Sequence, residues 1–117
     1  ISCTMTPVSF AKYVIIHELG HVLGNYNFSL YNSFISVYEK EGLMPTYPFG
    51  GSGPDESFAE MFTEYVVSKE YNHPPREWSN YPGGPWINPG NGYTTFPNDR
   101  PAHYDFAKVQ IFGGVQY

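Results

Sequence analysis

VSFAKYVIIHELGHVLGNY, Val8 to Tyr26, is an apolar stretch that carries His17-Glu18-Leu19-Gly20-His21, the pattern HExxH. On an α-helix His17 and His21 share one face, roughly 6 Å apart along the axis, so both imidazoles can reach one tetrahedral metal ion. Glu18 sits about 100° round the helix from His17, beside such a metal rather than on it. Zinc in that position lowers the pKa of a water, and the Glu18 carboxylate can take the proton, which is the chemistry of metal-assisted amide hydrolysis. Thr6 as N-cap and Pro7 at the first helical position predict where the helix starts. Val14, Ile15, Ile16, Leu19, Val22 and Leu23 make it apolar on most sides, which predicts burial. A buried helix must satisfy its two histidines and its glutamate, and a metal with its water does so at once. The plainer alternative is histidines hydrogen-bonded to neighbouring side chains.

Two histidines leave a catalytic zinc site one ligand short of three. The next charged helix to supply it is predicted at Asp55 to Tyr71, DESFAEMFTEYVVSKEY, with Ser52 or Asp55 as cap and His73-Pro74-Pro75 as stop. Phe58, Met61, Phe62, Tyr65 and Val66 form its apolar face. Glu56, Glu60 and Glu64 recur at steps of four, and like charges at that spacing repel. The row therefore lies beside a cation or in solvent, and Glu56 or Glu60 is the expected third ligand.

Between these helices a second one is predicted from Ser29 or Asn32, with Leu30, Phe34, Val37 and Tyr38 as its packing face and Gly42 as C-cap. Asn27-Phe28-Ser29 is a glycosylation sequon. Leu43 to Gly53 reads as a Pro/Gly-rich loop, and Asn72 to Asn98, with Trp78, Tyr81, Trp86 and Tyr93, as a long irregular one. A last helix is expected over Pro101 to Phe112, ended by Gly113-Gly114. His73 and His103 stand among polar neighbours and read as surface histidines.

The chain has 117 residues, enough for a single domain with one modest core. Its net charge of −5 supplies no basic stripe for nucleic acid, and no apolar run has the length of a membrane span. Charged residues are only 15% against 19% aromatics, an extracellular or secreted style of composition. The one cysteine, Cys3, permits no internal disulfide. The helix that carries HExxH opens within a few residues of Ile1, so the expectation is a fragment of a larger chain or a reduced, mostly helical version.

HELGHVLGNY, then NSFISVYEKEGLMPTY, then DESFAEMFTEY, over roughly residues 8 to 71, resembles the catalytic domain of anthrax toxin lethal factor and the Pro-Pro endopeptidases, gluzincin zinc peptidases. The resemblance implies a mainly α, zincin-like fold whose upstream β-sheet is largely missing here. It implies His17, His21 and Glu56 as Zn²⁺ ligands, Glu18 as general base and Glu60 as the carboxylate that orients a ligating histidine. The family's oxyanion-donating tyrosine best matches Tyr47, although strict counting lands on Phe49, whose ring has no donor. A peptide or protein substrate is implied, as are other segments or chains supplying the missing sheet. HELGHVLGNYN is also similar in frame to the metzincin pattern HExxHxxGxxH, with Leu43-Met44-Pro45 near a methionine turn. Asn27, however, stands where the third histidine belongs, and a neutral amide is a poor zinc ligand. The expectation is therefore a zinc endopeptidase, set against a zincin-derived, non-catalytic structural or binding module of an extracellular assembly.

Overall fold

The computed structural model describes residues 7–44, 53–67, 76–77, 86–88, 92–94 and 96–115. It is mainly helical. Helix α1 spans Pro7–Tyr26, α2 Phe28–Glu41 and α3 Pro54–Val67. Short helices α4, Phe96–Asp99, and α5, Pro101–Asp105, follow, and α5 runs on into a π-helical segment, Phe106–Ile111. Cys3, Thr6, Tyr47, Phe49, Ser52, His73, Trp78 and Tyr81 lie outside the described residues.

Helix α2 starts one residue before the earliest expected position, because Asn27 caps it by accepting a hydrogen bond from the Leu30 N–H. It ends at Gly42, whose φ of 77° lies in the left-handed region, and Gly42 N–H returns to the Tyr38 carbonyl. The stretch from Asn72 to Asn98 is not wholly irregular. Strands β1, Arg76–Glu77, β2, Trp86–Asn88, and β3, Gly92–Thr94, form a small sheet, with β1 parallel and β3 antiparallel to β2. Strands of two or three residues are held by their non-local partners and leave no periodic trace in sequence.

Helix α3, rather than α1, is the central one. Phe58, Met61 and Tyr65 enter a core with Phe34, Met44, Phe96 and Phe106. Phe34 meets Phe58 and Phe106 edge-on, at centroid distances of 5.2 and 5.6 Å, favoured aromatic geometries. On the other flank Tyr65 stacks on Phe112 at 5.0 Å and donates to the Val115 carbonyl, which holds the C-terminal segment down.

The expected burial of α1 on most sides is corrected. Over residues 11–26, where burial is described, only the stripe Tyr13, His17, Gly20 and Gly24 is buried, while Ile15, Leu19 and Val22 are more than half exposed and Tyr26 is 87% exposed. Apolar content shows that a helix can be buried, but a chain with one small core covers only one of its faces. Gly20 sets the closeness of α1 to α3, since a Cβ there would lie 3.0 Å from the Ala59 Cα and 3.3 Å from its carbonyl oxygen. Both atoms are backbone and the third neighbour, the Phe62 Cβ at 3.3 Å, is fixed to it, so the helices themselves must part. Gly20→Ala is expected to destabilise the fold by about 1–3 kcal/mol, read as a lowered midpoint in urea.

His103 is also corrected: it is fully buried, not a surface histidine. Its Nδ1 lies 2.7 Å from Glu41 Oε1 and its Nε2 3.3 Å from Ser57 Oγ, which in turn accepts the Met44 N–H. Glu41 also accepts the N–H groups of Ala102 and His103, capping α5, where Arg100 supplies no side-chain cap. The Glu41 bonds run between residues 61 and 62 positions apart and the Ser57–His103 contact spans 46, which is why sequence neighbours did not betray them. Burial pulls the His103 pKa below its ordinary 6.5, against the pull of Glu41. Burial would raise Glu41, but the Ala102 and His103 donors outweigh it and hold the carboxyl below 4.5. Both folded-state values are depressed, so the unfolded chain binds more protons and stability falls as pH falls, first below 6.5 through His103 and then below 4.5 through Glu41. The metal-free chain should therefore lose more Tm between about pH 7.5 and about pH 5 than its His103→Gln variant does, a comparison in which the opposite contribution of His17, whose folded-state pKa is raised, cancels.

Candidate metal centre

The stripe that α1 turns toward α3 carries the site. Tyr13, His17 and Gly20 are spaced by four and three residues, so they face one way, and His21 stands one turn beyond His17. Opposite them, Glu56 and Glu60 are spaced by four on α3. The close approach at Gly20 lets the two rows meet.

Glu56 lies between the two histidines. Its Oε2 is 2.9 Å from His17 Nε2 and its Oε1 2.9 Å from His21 Nε2. The two Nε2 atoms are 3.1 Å apart, and one ligand atom from each of the three residues lies within 4.8 Å of the others. Behind His17, Glu60 Oε2 is 2.6 Å from Nδ1. Glu60 is 1% exposed and also accepts from the Tyr13 hydroxyl with both oxygens. Burial, then the charge of Glu60, push the Tyr13 pKa well above its ordinary 10.0, so the phenol stays protonated and donates. Glu64 is likewise buried, so the acidic row on α3 does not lie in solvent.

The hydrogen-bonding roles test whether a cation fits. With Nδ1–H donated to Glu60, a neutral His17 presents a lone pair at Nε2. That lone pair faces a Glu56 oxygen, another acceptor, and His21 Nε2 faces both. Acceptors at 2.9–3.1 Å repel unless a proton or a cation lies among them. Burial pulls His17 down, but Glu60 and Glu56 outweigh it and raise its pKa above 6.5, the protonic way of relieving the same conflict. A metal ion relieves it without protons. Ligands about 2.1 Å from a tetrahedral ion stand about 3.4 Å from one another, a few tenths of an ångström beyond the separations here. His17, His21 and Glu56 therefore form a group that could hold a metal ion.

Glu18 is exposed on α1 next to His17. Tyr47 and Phe49, the alternatives for an oxyanion donor, lie outside the described residues. Asn27, at the metzincin third-ligand position, spends its side chain on capping α2. Tyr13 and Gly20 were missed in the sequence, although their spacing from His17 places both on its face. No family model, curated protein or solved structure matches the chain.

Proposed function

We propose that the chain is a zinc-dependent endopeptidase of gluzincin type, with His17, His21 and Glu56 as ligands and Glu18 as general base. The observation that carries this reading is the convergence of two imidazole nitrogens and one carboxylate from two helices, with a second carboxylate, Glu60, on the far nitrogen of His17. A His₂Glu set of three protein ligands leaves one position open, as catalytic rather than structural zinc requires. When bound, zinc would supply Lewis acidity toward a peptide carbonyl and lower the pKa of water.

The chain's own residues do the rest. Glu60 fixes the tautomer of His17 by accepting at Nδ1, so Nε2 offers its lone pair inward, and Tyr13 anchors Glu60 in turn. Glu18, free of that network and open to solvent, takes the proton of the attacking water and passes it to the leaving amine. Tyr47 is the proposed donor to the developing oxyanion. The test is hydrolysis of a peptide library by zinc-loaded protein against its Glu18→Gln variant.

A zincin-derived binding module is the second reading. The exposed row Ile15, Leu19, Val22 and Tyr26 favours it, because four large apolar side chains along one helix face suit a covering partner. The same row is compatible with the peptidase, for which other segments or chains would supply the missing sheet. A secreted setting rests on composition alone. Among the described residues no helix is long and apolar enough to cross a membrane.

A further inference from the structure

Next to the metal centre, α1, α2 and α3 enclose a cavity of about 180 Å³ whose walls include His21, Gly24, Phe28, Tyr31, Asp55 and Phe58. Gly24 makes part of this space, since a Cβ there would stand 3.3 Å from the Phe58 ring and 3.5 Å from that of Tyr31. Pockets for drug-sized ligands run to roughly 300–1,000 Å³, so this one suits a single side chain. His21 belongs both to the cavity and to the metal centre, and Asp55 is adjacent to Glu56 in sequence. A side chain seated there therefore belongs to a peptide that passes close to the metal centre.

The lining selects its chemistry. Tyr31 and Phe58 meet edge-on at 5.7 Å, and Phe28 stands 71% exposed as a third aromatic surface. Aromatic faces attract cations and also pack against aliphatic stems. Asp55 is exposed and makes no ion pair among the described residues. An aliphatic guest would strip water from that carboxylate and return no hydrogen bond. We propose that the cavity is a subsite for a basic side chain, arginine in preference to lysine, of the peptide substrate. The planar guanidinium can stack on a ring while pairing with Asp55, which an ammonium cannot do. The negative net charge of the chain draws such peptides in. A role in substrate binding rests on the peptidase reading, whereas occupancy of the cavity by a guanidinium does not.

The experiment follows amide resonances of the metal-free chain by NMR during titration with N-acetyl-arginine amide, N-acetyl-lysine amide and the uncharged N-acetyl-norleucine amide. Shifts should centre on Gly24, Tyr31 and Asp55, with affinity in the order arginine, lysine, norleucine. Asp55→Asn, a surface change that leaves the Tm in place, should weaken the arginine probe by roughly tenfold. Glu18→Gln should leave it unchanged. Norleucine amide binding as well as arginine amide, shifts centred elsewhere, or an unaltered affinity in Asp55→Asn would each overturn the subsite, even where Glu18-dependent cleavage is found. Arginine binding that depends on Asp55 supports the subsite even if no cleavage is found, and that absence would count against the peptidase reading alone.

Discussion

Replacing Glu18 by glutamine is expected to lower peptide hydrolysis by about 10²–10⁴-fold, the usual contribution of a positioned general base. The amide keeps the shape of the side chain and removes only its capacity to accept a proton. Glu18 is exposed and stands outside the network of His17, Glu56 and Glu60, so neither fold nor metal affinity should move. Surface substitutions away from such networks usually stay within about 0.5 kcal/mol. Turnover, bound zinc and Tm measured on one preparation separate the possibilities. Lost turnover with zinc and Tm intact is the expected pattern. Undiminished turnover in Glu18→Gln would remove Glu18 from the mechanism, and a native chain without turnover would favour the binding module.

The helices were legible because their periodicity is local. Gly42, which ends α2, acts on the Tyr38 carbonyl four residues back, so its chemistry is visible in the chain, whereas Asn27 caps the helix one residue before the earliest start expected from the sequence. The candidate site was legible for a related reason. His17 with His21, and Glu56 with Glu60, are pairs at helical spacing, and two helical faces suffice to bring four side chains together. Which of two apolar faces is covered is a property of the whole chain, so α1 was expected to be buried where Ile15, Leu19 and Val22 are exposed. His103 was misplaced because its partners Glu41 and Ser57 come from distant segments and make an interior out of a polar neighbourhood. The π-helical bonding after Phe106, in which the Phe112 N–H reaches the Ala107 carbonyl, follows from tertiary packing and has no sequence mark.

The two glutamates on α3 make the sharpest contrast in metal binding. Glu56 places its two oxygens against both histidines, whereas Glu60 meets, of the two, only His17, at its outward nitrogen. Glu56→Ala removes one of three ligands and should abolish stoichiometric zinc. Glu60→Gln keeps the ligand set but loosens the orientation of His17, which should weaken zinc by about 10–100-fold. Tm recorded alongside distinguishes a lost ligand from a lost fold, since Glu60 is buried and Glu56 is only partly so. The deciding measurement is zinc content by elemental analysis after dialysis, for the unmutated chain and Glu56→Ala together. One zinc per chain in the first and none in a folded Glu56→Ala is the predicted result. No zinc in the unmutated chain, or one zinc retained in both, would contradict the His17–His21–Glu56 centre.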